Sequence, residues 1–121
     1  MARIVAHARH SQEPSEFTIA PIGAIRKLFD KTGWQVADVD LLEINEAFAM
    51  VTMLAIQDLG LDHASVNVHG GACAQGHPIG STGSRIMVSL MYALQQQGKK
   101  RGVAALCIGG GEATAVGIEL I

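Results

Sequence analysis

Asn45, His77 and Cys107 are the side chains of this sequence best placed to do chemistry. Asn45 follows an apolar run, His77 stands in a glycine-rich stretch, and Cys107 lies two residues before Gly109-Gly110-Gly111. A cysteine and a histidine within reach of each other can trade a proton, and positive charge or helix amino termini favour the thiolate. The glycines after Cys107 leave backbone N–H groups free to approach an acyl oxygen, and the Asn45 amide can hold a water or a carbonyl oxygen. Together they suit proton transfer beside an oxyanion-stabilising pocket.

Each residue also has a plainer role. A cysteine at a strand end serves as a small core residue more often than as a catalyst, because free cysteine is among the most buried types. Asn45 can cap a helix beginning near Glu46. His77 is held between Gly76 and Pro78, which favours a positioned imidazole over a solvated one. A metal site is disfavoured: His69, Cys73 and His77 recur every four residues, but Gly70, Gly71, Gly76 and Pro78 argue against the helix that would align them. A structural zinc would need a fourth ligand, for which His63 is nearest. Gly76 to Thr82 lacks the lysine of a phosphate-binding P-loop, and no helix follows the glycine triplet as dinucleotide binding would require. Met87 and Met91 read as core filling.

The elements that must position these groups follow from periodicity and punctuation. Arg3 to Ala8 reads as a strand closed by a polar loop through Pro14. Ile22, Ile25, Leu28 and Phe29 recur at helical spacing between Pro21 at the first helical turn and Gly33 at the stop. Val39 to Ile44 is predicted as a second strand, followed by a helix from Glu46 to Gly60 that includes Phe48, Val51, Leu54, Ala55 and Leu59. A brief third strand, Ser65 to Val68, runs into a long loop from His69 to Gly80. Ser81 or Thr82 caps a third helix to about Gln97, with an apolar band of Ile86, Met87, Leu90, Met91 and Leu94. Val103 to Ile108 and Ala113 to Ile121 form a closing hairpin. The order β-α-β-α-β-α-β-β implies parallel strands with an antiparallel last strand at one edge. In such α/β sheets ligands bind beyond the carboxyl ends of the parallel strands, where Asn45, His77 and Cys107 are expected to meet.

Composition narrows the setting. The 121 residues suffice for one domain over residues 1–121. They are 49% hydrophobic with 14 glycines, an excess that suggests a face meant for a partner. The formal net charge of -2 offers no field for nucleic acid. No apolar run reaches the roughly 18 residues of a membrane span, and the start is too soon interrupted for a signal peptide, so a cytoplasmic location is expected. Cys73 and Cys107 are read as thiols rather than as a disulfide.

Asn45-Glu46-Ala47-Phe48, Gly76-His77-Pro78-Ile79-Gly80 and Cys107-Ile108-Gly109-Gly110-Gly111 resemble the three carboxy-terminal signature motifs of the thiolase family, in the family's order and at its approximate spacing. The flanks Val66-Asn67-Val68-His69-Gly70-Gly71 and Gly33-Trp34 extend the resemblance, which runs from Arg3 to the end and is strongest toward the biosynthetic acetyl-CoA acetyltransferase branch. It implies a thiolase-like βαβαβαββ domain with a five-stranded mixed sheet and helices on both faces. It also implies Claisen-type acyl transfer between two acyl-CoA molecules, or the thiolytic reverse, with acyl-CoA as substrate and no cofactor. By resemblance, His77 activates the nucleophilic thiol and binds the thioester oxygen, with Asn45 holding a water in the same oxyanion site. Cys107 takes the α-proton of the second acetyl group and returns it in thiolysis, and the Gly109 N–H belongs to a second oxyanion hole.

The departures from the family are as informative. The acyl-accepting cysteine of the amino-terminal half, in a Cys-x-Ser motif, does not occur in these residues, nor does the inserted loop domain that holds most of the CoA. Cys73 is read as packing. Gln75 replaces a usually aliphatic residue, and Ser81-Thr82 replaces the more frequent Ala-Ser. The resemblance therefore implies one half of a thiolase, inactive until an amino-terminal half completes it, and homo-oligomeric. The alternative is a non-catalytic module of the same fold that associates with itself through the apolar helix after Ser81.

Overall fold

The computed structural model describes all 121 residues. Its strands are β1 (Ala2–Ser11), β2 (Leu41–Ile44), β3 (Arg101–Ile108) and β4 (Glu112–Leu120), and its helices α1 (Ala20–Thr32), α2 (Ala49–Leu59), the one-turn α3 (Ala72–Gln75) and α4 (Thr82–Gln96). Helix punctuation is as expected from sequence. Pro21 lies in the first turn of α1, and Gly33 and Gly60 end α1 and α2, their N–H groups returning to the carbonyls of Phe29 and Ile56. The start of α2 differs: Asn45 and Glu46 are irregular and the chain bends at Ala47 and Phe48, with Phe48 extended, before the first helical turn.

The sheet order is β1-β4-β3-β2. β2 pairs parallel with β3, and β4 pairs antiparallel with both β3 and β1, so β1, β2 and β3 run one way and β4 against them. The last strand is antiparallel as expected, but it lies inside the sheet and not at its edge. β1 fills that edge, pairing with β4 along its whole length from Ala2–Leu120 to Ser11–Glu112.

The anticipated third strand, Ser65 to Val68, is reduced to one bridge between Leu42 and Val66, so the sheet has four strands rather than five. The reason is local. Asp62 caps a 3-10 turn at His63–Ser65, and Asn67 takes a left-handed conformation, φ 49°, that leaves the strand path. The Asn67 side chain then does what a strand backbone would: its Oδ1 accepts the Ile44 N–H at 2.8 Å and its Nδ2 donates to the Ile44 carbonyl at 2.9 Å. An amide can replace a peptide group in this way because it offers the same donor and acceptor.

Helices cover both faces of the sheet, dividing the core in two. Leu42, Ile44, Val103 and Ala105 pack with Ile25, Leu28, Val51 and Ala55 of α1 and α2. Leu41, Ala104 and Ile118 pack with Ile86, Leu90 and Leu94 of α4. The period-two alternation of β2 and β3 fixes which residues face which layer. Gly102 permits the α4 layer to close, because a Cβ there would fall 2.8 Å from the Leu90 side chain. At the β3–β4 turn, Gly110 and Gly111 have φ of 89° and 84°, and a Cβ on Gly111 would collide with the Gln12 carbonyl. This turn therefore requires glycine.

Candidate active site

The parallel register of β2 and β3, Leu41 with Gly102 through Ile44 with Ala105, brings their carboxyl ends to the same edge. Asn45 leaves β2 there, its N–H bonded to the Ala105 carbonyl at 2.9 Å. Cys107 is the penultimate residue of β3, half-buried, with the glycine turn immediately beyond. His77 approaches from the segment between β2 and α4. That segment is less loop-like than expected, since it contains α3 and a 3-10 turn at Ile79–Ser81.

His77, Cys107 and Gly109 line one open cavity of about 450 Å³, together with Phe17, Ile79 and Thr82. The structure thus brings together three of the four expected site residues. Asn45 does not line that cavity. It is 1% exposed, its Oδ1 accepts from Arg85 Nη2 at 3.0 Å, and its Nδ2 is buried with no partner. It does not cap α2, which begins at Ala49 without a side-chain cap. A larger cavity of about 630 Å³ around His10, Arg26 and Asp58 holds none of the expected residues, and the Arg26–Asp58 ion pair at 2.7 Å balances its charge.

His77 is oriented by Thr82, the first residue of α4 and 3% exposed. His77 Nδ1 lies 2.8 Å from Thr82 Oγ1, and the same hydroxyl donates to the Pro78 carbonyl at 3.3 Å. A hydroxyl that donates to Pro78 can accept from His77 Nδ1–H, an arrangement that leaves Nε2 with a free lone pair. This is the tautomer a general base requires. Burial pushes the Cys107 thiol above its ordinary range, so Cys107 is a protonated thiol at neutral pH.

Two acidic residues frame the site. Burial works against the Glu46 carboxylate, but hydrogen bonds from the Cys73 N–H at 2.9 Å and Asn67 Nδ2 at 3.1 Å prevail, with help from the Arg85 charge, and hold it below the usual range. Glu46 thereby ties the bend after β2 to α3, and Gly71 makes room, since a Cβ there would fall 2.4 Å from the carboxyl carbon. Glu43, 2% exposed on β2, is pushed by burial up to about 7, partly offset by Arg85, with the neighbouring Glu46 adding to the rise.

Cys73 is exposed on α3, contrary to the packing role expected for it, with both its backbone N–H and its thiol turned to Glu46. It is not disulfide-bonded, and neither is Cys107. His69, Cys73 and His77 form no metal cluster; no group of three such ligands exists in the chain. Gln75 turns away from the cavity, its amide donating to the His69 carbonyl at 3.2 Å. Glu43, Arg85 and the Thr82 contact with His77 were missed by sequence reasoning. The available signals were a lone acid in the apolar run Leu41-Leu42-Glu43-Ile44 and a lone charge on α4.

The family profile described as thiolase, C-terminal domain, matches residues 1–120. A cytosolic acetyl-CoA acetyltransferase of Mus musculus is 49% identical over 119 residues, covering 98% of this chain and 30% of its own length. The crystal structure of the Bacillus anthracis acetyl-CoA acetyltransferase superposes with a TM-score of 0.97 at 45% identity, over 100% of this chain and 31% of that one. A thiolase from Ascaris suum, solved in complex with coenzyme A, gives 0.95 at 43% identity, over 100% and 31%. The chain thus spans about 30% of the length of the relatives it matches. With the three motifs at one sheet edge and a fold shared end to end with these enzymes, the chain belongs to the thiolase family, as its carboxy-terminal domain.

Proposed function

We propose that these residues supply the acid/base and oxyanion side of a thiolase that condenses two acetyl-CoA molecules to acetoacetyl-CoA or cleaves the product with CoA. The observation that carries the reading is the shared cavity in which His77, a protonated Cys107 and Gly109 converge. Acyl-CoA is the substrate and no further cofactor takes part. The likeness to a thiolase solved with coenzyme A supports that substrate class.

The α-proton of a thioester is weakly acidic, so an enolate-like transition state needs a matched base and fixed donors on the oxygen. In thiolysis, the nucleophilic thiolate attacks the 3-keto carbon, the C2–C3 bond breaks, Cys107 gives its proton to the departing α-carbon, and CoA then takes the acyl group from the enzyme. In condensation Cys107 first gives up its own proton to solvent, its thiolate then removes the α-proton, and the enolate carbon attacks the acyl-enzyme carbonyl, expelling the nucleophilic thiolate. His77, with Nε2 free, takes the proton of the acyl-accepting thiol and contributes to the thioester oxyanion site, where the Asn45 amide fixes a water. The Gly109 N–H serves the second oxyanion hole. One such donor is typically worth about 3 kcal/mol in the transition state.

The nucleophilic cysteine comes from an amino-terminal thiolase half, since Cys73 lies outside the cavity and no Cys-x-Ser occurs in the 121 residues. The exposed run from Cys73 to Ser81 and the outward face of α4, where Val88 is 47% and Tyr92 57% exposed, are the surfaces such a half or a second copy would cover. The active form is a homo-oligomer, and its location cytoplasmic, as for the mouse relative named cytosolic. Acetoacetyl-CoA thiolysis by the 121 residues alone should be absent and should appear when a matching amino-terminal half is added. Turnover by the residues alone would refute the reading. The exposed α4 face also fits a second reading, a self-associating module without catalytic duty. Substituting His77 or Cys107 in the completed enzyme separates the two, because a scaffold would be indifferent to the change.

A further inference from the structure

Leu41, Glu43 and Asn45 alternate onto the side of β2 that faces α4, where Leu41 meets Ile86 and Leu90. The one charged side chain of α4, Arg85, lies on that side. Its Nη2 donates to Asn45 Oδ1 at 3.0 Å and its Nη1 reaches Gln75 Oε1 at 3.5 Å. Three atoms of this cluster are buried with no partner: Glu43 Oε1, Asn45 Nδ2 and Arg85 Nε.

An asparagine amide has two ends, and a guanidinium has only donors. Arg85 can therefore bond the Asn45 oxygen but never its NH2, and the flipped amide would set donor against donor. We propose that Arg85 is a positioning residue that acts through Asn45: it holds Oδ1 and thereby commits the amide to present Nδ2–H to the reaction's oxyanion water. The inference rests on the proposed role of Asn45 and deepens it.

The test is made in the completed thiolase, with these residues joined to a nucleophile-bearing amino-terminal half. Arg85→Met removes the donor. Thiolysis kcat should fall by about tenfold to a hundredfold, less than the roughly hundredfold to thousandfold loss typical when an oxyanion donor is deleted outright, while KM for acetoacetyl-CoA changes little. Arg85→Lys, also a donor without an acceptor, should recover most of the loss, whereas Arg85→Gln, whose amide can meet Asn45 in either orientation, should not. This Lys/Gln pair decides the matter if Arg85→Met folds poorly. Because Arg85 acts through Asn45, adding Arg85→Met to Asn45→Ala should lower kcat no further. Multiplicative losses, or equal activity of the Lys and Gln variants, would overturn the inference. Full kcat in Asn45→Ala would instead overturn the reading of the site beneath it, and loss in Asn45→Ala without loss in Arg85→Met would overturn the role of Arg85 alone.

Discussion

Replacing Glu43 by glutamine should flatten the pH dependence of the fold's stability. Glu43 is 2% exposed, and burial raises its carboxyl from 4.5 to about 7 despite the opposing charge of Arg85. The folded chain then holds this proton more tightly than the unfolded chain. The stabilisation is complete below pH about 4.5 and is lost as the pH climbs through 7, where the buried group must ionise. At about 1.4 kcal/mol per pH unit, the whole difference amounts to about 3 kcal/mol, most of which disappears between about pH 5 and pH 8. Glutamine keeps the shape without the titration. Urea unfolding of both proteins from pH 5 to pH 8 gives the comparison, with the wild-type loss exceeding that of Glu43→Gln by about 2 kcal/mol or more. Parallel curves, or a wild type that gains on Glu43→Gln as the pH rises, would refute the reasoning.

Two further substitutions probe the scaffold of the site. Asn67→Ala leaves the Ile44 N–H without a partner, while the Ile44 carbonyl keeps its bond from Thr52 Oγ1, and should cost about 1–3 kcal/mol in chemical denaturation. A stability unchanged within about 0.5 kcal/mol would deny that role. Thr82→Val preserves shape but removes the hydroxyl beside His77 Nδ1, so kcat of the completed enzyme should fall roughly tenfold or more while its melting temperature moves little. Unaltered kcat would mean that the hydroxyl does not set the imidazole tautomer.

What was legible in the sequence was mostly local. Pro21, Gly33 and Gly60 mark helix ends through backbone geometry that depends on a few neighbouring residues, and each lies where expected. His77, Cys107 and Gly109 were readable because strand ends and glycine punctuation announce where backbone and side chains are free. Features that depend on distant partners were not. β1 and β4 pair across more than a hundred positions, so nothing near Ala113 says that the last strand is interior. The third strand reads as β-forming in Ser65 to Val68, yet the Asn67 side chain competes for Ile44 and prevails. Asn45 resembles a helix cap until Arg85, forty residues on, is found holding its oxygen. Thr82 likewise reads as a cap, because its bond to His77 closes only when the intervening 3-10 turn forms.

The central claim is that Cys107 handles the α-carbon proton while acylation of the enzyme is left to the nucleophile and His77. Cys107→Ala in the completed enzyme tests it most directly, with two rates measured on one preparation: thiolysis of acetoacetyl-CoA, and exchange of labelled CoA into acetyl-CoA, which needs only the acyl-enzyme. The account predicts a loss of about a hundredfold to ten-thousandfold in thiolysis, the range for a general acid/base, with exchange largely kept. Equal loss of both rates, or thiolysis at the wild-type rate, would contradict it.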